Sequence, residues 1–436
     1  MKTGCETGEE NMRRWVLLLA LAAALLFVPL RPAHAGNQGD AVNLEGLIEE
    51  ALSNNPDLKA ADEKVQAGGE KPAQEESLDN PRIGLGLMNV PVNSFDFNQE
   101  PMTQKQVSVI QKLPFPGKLG LKGDIARKDV DIAREELLEK RNNMVMQVKT
   151  VYRNLLLVDR TIEITEKNRD MVREFVKTAE TKYSVGMGIQ QDVLKARVEL
   201  SKMIDMLISL GQKKTSLLAR MNALLYRPSG KKLEDVDVGD IDSLKPADFP
   251  YTPDQLETIA IENRPVLVAA KQRIERSKLS IMLAKKNYYP DFDVGMSYGQ
   301  RQSLPDFLSG FVTISIPLWH KNREDRKVAE ETAMARQAEE QYEAMKNDIF
   351  FKISDSTAEI GKYRQQMDLL KTGLIPQSRA ALESAIAGYG VNKVDFMTLI
   401  NNFITSYNYE IEYYRVLTSY ENMLAEIEAS VGKRLF

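Results

Sequence analysis

Residues that carry out nucleophilic or metal chemistry are scarce in this chain. Cys5 is the only cysteine, and His34 and His320 are the only histidines. A nucleophilic triad needs a histidine base beside its nucleophile, and a zinc site needs several cysteine or histidine ligands. Cys5 and His34 both lie within the first 35 residues, so the rest of the chain offers one histidine and no cysteine. The sequence predicts no catalytic residue, metal site or cofactor.

Gly117 and Lys118 are similar to the glycine–lysine pair of a phosphate-binding loop. That loop needs another glycine five residues before the pair and a serine or threonine after the lysine. This chain has no such glycine, and Leu119 follows the lysine. The alternative is a strand-to-helix junction, in which Pro114 and Pro116 end a strand and Gly117 lets the chain turn.

His320 stands between Trp319 and Lys321, where a Trp-His pair at a membrane boundary is favoured over a metal ligand. Met144 and Met146 suit either a soft metal such as Cu(I) or the core of a helix seam, and their helical spacing favours the core.

Two carboxylates lie next to predicted turns. Asp192 is six residues beyond Gly186, and Asp395 is three residues beyond Asn392. Tyr183-x-x-Gly186 corresponds to Tyr389-x-x-Asn392, so asparagine, which tolerates a left-handed backbone, takes the place of glycine in a shared turn. At the start of a helix, such residues serve as N-terminal caps or pair with the helix dipole. In a symmetric oligomer, each would instead form a ring of acids that selects cations. Both interpretations remain open from the sequence.

The elements that position these residues occur twice. One series of residues recurs 209 positions later, and after a shorter loop the offset becomes 203. The matched pairs are Leu47 and Leu256, Ala51 and Ala260, Asn54 and Asn263, Pro56 and Pro265, Pro81 and Pro290, Gly86 and Gly295, Pro114 and Pro317, and Lys118 and Lys321. An ordered series of this length indicates two structural repeats.

Each repeat is predicted to hold a helix, a β-hairpin and a long helical hairpin. The β-hairpins cover about 82–113 and about 291–318, from alternating apolar residues. Their second strands are predicted at about Gln104–Leu113 and Phe311–Leu318. A stretch without glycine or proline, 124–185, predicts one very long helix whose apolar residues follow a coiled-coil seam. Its predicted return helix is 190–225; in the second repeat the helices are 322–387, interrupted near Gly373 and Pro376, and 394–431.

The N-terminal segment, the net charge and the hydropathy of the chain limit its cellular location and its partners. Arg13 and Arg14, a short apolar run and the pattern Ala33-His34-Ala35 predict a cleaved signal peptide over 1–35. The first repeat is then 36–250 and the second 251–436. A net charge of −4 argues against nucleic-acid binding. No later segment is long and apolar enough to predict a transmembrane helix.

Four short strands cannot close a barrel, which needs about eight. A sheet that spans lipid must close, because lipid satisfies no edge groups. Three chains would supply twelve strands and a tube of twelve helices, which suits an outer-membrane channel.

The chain resembles the TolC-like outer membrane efflux family, and most of all its cobalt–zinc–cadmium branch. The resemblance covers about residues 42–434. It is carried by the duplication and by Asn54-Asn55-Pro56, Pro114-Phe115-Pro116-Gly117-Lys118, Tyr183-x-x-Gly186 with Asp192-Val193-Leu194, and Lys393-Val394-Asp395-Phe396.

The resemblance implies a homotrimer in outer-membrane lipid, with a mainly α fold that adds a small membrane β-barrel of twelve strands to a periplasmic α-barrel of twelve helices. It implies an exit duct for heavy-metal cations, working with a periplasmic adaptor and an inner-membrane pump of the resistance-nodulation-division type. The expected adaptor-docking tip and pore constriction lie in the helical turns. The tip residues are Tyr183, Gly186, Gly188, Asp192 and Asn392, and the constriction residues are Asp395 and Tyr389.

Three rival functions remain for comparison. A duct of the same family could export drugs or other small molecules. A periplasmic coiled-coil adaptor would share the long helices but would lack two β-hairpins at duplicated positions. A soluble enzyme with a helical core would need a catalytic set, and the sequence supplies none.

Overall fold

The computed structural model describes residues 44–228, 241–243 and 246–436. The predicted signal peptide and most of the linker between the repeats lie outside the described residues. Within the described part, the elements follow the predicted order twice.

The first repeat holds three short helices, a β-hairpin and a helical hairpin. These are α1 (Leu44–Asn54), α2 (Pro56–Gly69), α3 (Lys71–Glu76), β1 (Arg82–Met88), β2 (Gln104–Leu113), α4 (Lys118–Ser184) and α5 (Gln190–Leu225). The sequence predicted one helical region interrupted at Lys71-Pro72. The structure adds a break at Asn55, because Pro56 begins a new helix and the Asn55 side chain accepts a hydrogen bond from Asp57 N.

The second repeat follows a short 3₁₀ turn, Ile241–Ser243. Its elements are α6 (Pro253–Asn263), α7 (Pro265–Lys286), β3 (Asp291–Gln300), β4 (Phe307–Ser315), a 3₁₀ turn (His320–Asn322), α8 (Glu324–Leu369), a π-helical segment (Leu370–Leu374), α9 (Ile375–Gly390) and α10 (Phe396–Val431). The last strand begins and ends earlier than predicted. The interruption expected near Gly373 and Pro376 is the π-helical segment, because the proline at the start of α9 removes one helical hydrogen bond.

Helix α4 organises the core. Its 67 residues extend about 100 Å at about 1.5 Å per residue. The seam residues Val148, Leu155 and Val172 have no exposed surface. Helix α4 packs against α5, α7 and α10, so both repeats contribute to one core.

No helix in the described ranges combines the length and the hydropathy that a membrane crossing requires.

The four strands form one antiparallel sheet in the order β1-β2-β3-β4. The central pair joins the repeats, with Leu113 opposite Phe292 and Val107 opposite Tyr298. Among the described strands, β1 pairs only with β2 and β4 only with β3, so both outer strands present an unpaired edge.

The two faces of the sheet differ in chemistry. One face presents large apolar side chains, several of them strongly exposed: Ile83, Leu85, Leu87, Val294, Met296, Leu308, Val312 and Ile314. The opposite face carries mostly small or polar residues, such as Gly84, Gly86, Ser108, Gly295 and Ser297. A sheet whose apolar face stays this exposed among the described residues is suited to contact with lipid.

Candidate functional site

The two helical turns have the same backbone. In each, the residue in left-handed conformation donates its N–H to the carbonyl three residues back, and the next residue donates to the carbonyl five residues back. These bonds are Gly186 to Tyr183 at 3.1 Å, Met187 to Lys182 at 2.8 Å, Asn392 to Tyr389 at 3.3 Å and Lys393 to Gly388 at 2.8 Å. Gly186 has φ +75° and Asn392 φ +61°. The predicted equivalence of Gly186 and Asn392 is confirmed, because asparagine tolerates this conformation.

Lys182 joins the two turns. Its ammonium group donates to the carbonyl oxygen of Tyr389 and, at 2.5 Å, to Oδ1 of Asn392. It also lies 4.1 Å from the centre of the Tyr389 ring. One side chain of the first hairpin therefore holds the turn of the second through two hydrogen bonds and a cation–π contact. No sequence pattern predicts this role for Lys182, because its partners lie in the other repeat.

The two turn tyrosines have different surroundings. Tyr183 is 49% exposed, whereas its equivalent Tyr389 is 6% exposed and packs against Phe396. The Tyr389 hydroxyl has no hydrogen-bond partner among the described residues. Burial, followed by the charge of Asp192, raises the pKa of Tyr389.

The two carboxylates differ in role. Asp395 is the N-cap of α10, and its oxygens accept from Thr398 N at 2.9 Å and from Thr398 Oγ1 at 2.7 Å. These hydrogen bonds lower the pKa of Asp395. Asp192 lies inside the first turn of α5, whose N-cap is Ile189. Capping is therefore confirmed for Asp395. Asp192 is not a cap, but its carboxylate lies in the first turn of α5, where it pairs with the helix dipole.

Asp192 and Asp395 line one open groove between the turns, together with Tyr389 and Asn392. Burial is the largest cause that raises the pKa of Asp192, and the charge of Asp395 is the next. Lys182 acts in the opposite direction on Asp192. The groove therefore holds two mutually repelling carboxylates, with Lys195 and Lys393 also in its lining. Lys182 acts on Asp192 from beside the groove.

A glycine relieves crowding in each turn, at non-equivalent positions. A Cβ on Gly188 would lie 3.1 Å from Lys182 Cβ, and a Cβ on Gly388 would lie 2.5 Å from Val394 Cγ2. Lys182 and Gly388 are equivalent, as are Gly188 and Val394. Each turn thus has room for only one of the two side chains, and the first repeat keeps the lysine.

The strand-to-helix junction contains the predicted Pro114–Lys118 motif. Gly117 has φ +89° and precedes α4. The buried Lys118 donates to Asp291 Oδ1 at 2.7 Å and to the Tyr289 carbonyl at 3.1 Å. Phe115 N donates to the same carboxylate oxygen at 2.9 Å, and its ring stacks on Tyr289 with centroids 4.5 Å apart. Lys118 therefore holds the second repeat rather than a phosphate.

The remaining candidate side chains have structural surroundings. Met144 is buried in the core, as predicted, and Met146 is half-buried. His320 lies beside Asp325, with Nδ1 3.4 Å from Oδ1.

An antiparallel sheet with one apolar face and open edges, joined to paired long helices, defines an outer-membrane channel subunit. The sequence profile of the family described as outer membrane efflux protein matches residues 47–225 and 257–432, and the chain belongs to that family. It is therefore an outer-membrane efflux channel protein and not an enzyme.

Three relatives illustrate the likeness. The cobalt-zinc-cadmium resistance protein CzcC of Cupriavidus metallidurans is 20% identical over 451 residues, covering 97% of this chain and 100% of CzcC. The outer membrane protein VceC of Vibrio cholerae has a TM-score of 0.75 at 16% identity, covering 89% of this chain and 96% of VceC. The transmembrane channel protein CusC has a TM-score of 0.78 at 16% identity, covering 92% and 96%. The structural matches show the TolC-like fold.

Proposed function

We propose that three copies of this chain form the duct, pooling twelve strands into one membrane barrel and twelve helices into a periplasmic tube. The observation that carries the proposal is the sheet. Its exposed apolar face, which carries residues such as Leu85 and Val312, is suited to contact with lipid. Its two outer strands leave unpaired backbone N–H and C=O groups, which lipid cannot satisfy. Pairing β4 of one copy with β1 of the next removes every edge.

Light scattering of the detergent-solubilised protein tests this assembly. The protein mass should equal three chains after the detergent is subtracted. A monodisperse monomer that still conducts ions in a planar bilayer would overturn the proposal.

We further propose that the duct exports heavy-metal cations, together with a periplasmic adaptor and an inner-membrane pump of the resistance-nodulation-division type. The likeness to CzcC, a cobalt-zinc-cadmium resistance protein, supports the metal class. So do Asp192 and Asp395, because threefold repetition would concentrate carboxylates at one end of the tube. Deleting the gene should raise sensitivity to zinc, cobalt or cadmium, and the wild-type gene should restore resistance. If only drug sensitivity changes, the duct exports drugs instead.

Asp395 and Tyr389 are proposed to contribute to the narrow periplasmic end. Asn is as good an N-cap as Asp, so Asp395→Asn removes the charge but keeps the cap. Single-channel recordings in a planar bilayer should show weaker cation preference in this variant. If conductance and ion preference match the wild type, Asp395 is only a cap.

The turn surface made by Tyr183, Gly186, Gly188, Asp192 and Asn392 is proposed to meet the adaptor. Replacing either glycine would disturb the turn itself, since Gly186 has positive φ and a Cβ on Gly188 would crowd Lys182. Met187, which is 68% exposed beside them, is the cleaner probe. Met187→Glu should abolish efflux while the trimer persists; unchanged metal resistance would remove this surface from the interface.

The strand connections 89–103 and 301–306 are proposed to lie outside the cell. Each joins two strands whose other ends lead into the helices. An epitope inserted at Asn98 should be labelled on intact cells, and labelling only after permeabilisation would reverse the topology.

A further inference from the structure

The apolar face of β4 continues beyond the end of the strand. Val312 and Ile314 are 62% and 50% exposed within β4, and Ile316, Leu318 and Trp319 after it are 63%, 69% and 77% exposed. Most of the Trp319 indole is therefore left uncovered by the described residues. These exposed side chains therefore form a column that runs from the apolar face of the sheet to the junction with α8 and ends at the Trp319 indole.

The internal seam of the sheet shows which junction residues stay exposed once a seam is covered. At the β2–β3 seam, Pro116 and Gly117 remain exposed although β3 and Tyr289 cover their neighbour Phe115. Trp319 and His320 occupy the equivalent positions in the second repeat. We therefore expect both to stay exposed when β4 pairs with a second copy, a step that rests on the proposed trimer.

Cations follow the indole within one turn of chain. Lys321 is exposed, and the Arg323 side chain is 88% exposed. The nearby carboxylates are largely engaged. Asp325 accepts from the Tyr288 hydroxyl at 2.6 Å and lies beside His320. Glu324 is buried and pairs with Arg323 itself, with Oε1 3.8 Å from Nε, but the 88% exposed Arg323 side chain remains accessible to a second anion.

We propose that Trp319, Lys321 and Arg323 bind the headgroup of an anionic phospholipid at the periplasmic boundary of the membrane. Indoles favour the boundary between acyl chains and headgroups. Lysine and arginine beside it attract the phosphate, and the guanidinium can hold two of its oxygens. The order along the chain, apolar column, then indole, then cations, matches the order of acyl chain, boundary and phosphate across a leaflet.

Fluorescence provides a direct test, because Trp15 and Trp319 are the only tryptophans. In a Trp15→Phe background, all tryptophan fluorescence comes from Trp319. The protein is reconstituted in phosphatidylcholine vesicles that contain a small fraction of brominated phosphatidylglycerol or of brominated phosphatidylcholine. Quenching of Trp319 should be stronger with brominated phosphatidylglycerol. At low salt, each of the two cations should raise the affinity of the site for this lipid, relative to phosphatidylcholine, by about fivefold. The doubly substituted Lys321→Gln, Arg323→Gln protein should be quenched equally by both lipids.

A matched control removes the same charge farther along α8. Arg336→Gln with Lys352→Gln changes two exposed residues of that helix, the first about 20 Å from Arg323. This control should keep the preference for phosphatidylglycerol.

Three results would overturn the lipid site. These are equal quenching of the wild type by both lipids, loss of preference in the control, or no quenching by either lipid, which would mean that a second copy or water surrounds Trp319. Conductance of the same samples separates this outcome from failure of the duct itself. Conducting protein without lipid preference rejects the lipid site alone, whereas protein that neither conducts nor assembles rejects the proposed function.

Discussion

Loss of the Lys182 side chain should loosen the contact between the two helical turns. Its ammonium group bonds the Tyr389 carbonyl and the Asn392 side chain, and it covers the Tyr389 ring. Lys182→Met keeps the length and the apolar stem of the side chain but removes the charge and its donors. The substitution tests the bridge with little change in packing.

The size of the effect follows from these contacts. A hydrogen bond to a charged group contributes about 1.5–3 kcal/mol, and an exposed cation–π contact about 0.5–1 kcal/mol. Lys182 is half-buried, so solvent screens part of this and the lower ends apply. We expect a loss of about 2–3 kcal/mol, which shifts the balance between linked and separated turns by about 30- to 150-fold.

Hydrogen exchange at the turn and single-channel recording measure this shift. The amides of Asn392 and Lys393, which close the second turn, should exchange faster by that factor, and the channel should open more often. Lys177→Met is the control, because Lys177 pairs with Glu174 of its own helix at 2.7 Å.

If Lys182→Met and Lys177→Met show the same turn exchange and the same open probability, Lys182 does not hold the turns together.

Three further substitutions test neighbouring conclusions. Gly388→Ala should destabilise the second turn in thermal unfolding or exchange measurements, whereas Gly390→Ala, with nothing within 4 Å of its Cβ, should not; equal behaviour would contradict the crowding argument. The raised pKa of Asp192 means that the folded turn binds a proton more tightly than the unfolded chain. Turn stability should therefore fall as pH rises above the ordinary aspartate pKa of about 4, and Asp192→Asn should flatten that pH dependence of turn exchange. Lys118→Met should lower the unfolding free energy by about 3 kcal/mol, because it leaves a half-buried carboxylate unpaired. The exposed control Lys122→Met should lower the unfolding free energy little. If both variants lose the same unfolding free energy, the contact between Lys118 and Asp291 does not stabilise the junction.

The elements were predictable because their signals are local. Strand β2 and helix α5 span the predicted residues, since alternation and helical spacing depend on which face each side chain must bury. The exchange of glycine for asparagine at the second turn was readable because it depends only on backbone conformation. The last strand was placed too late because Ile316 and Leu318, which follow it, are as apolar as Leu308 inside it, so hydrophobicity alone does not mark its ends.

The sequence by itself determined the duplication, the alternation of strands and long helices, and the residues of both turns. Only the tertiary structure decided which partners those residues have. Lys182 meets Tyr389, and Lys118 meets Asp291, across the boundary between the repeats. Equivalent positions therefore diverge, as the exposed Tyr183 and the buried Tyr389 show. The physical reason is that spacing along the chain fixes which face a residue occupies, whereas contacts between repeats depend on how two faces from distant segments pack together.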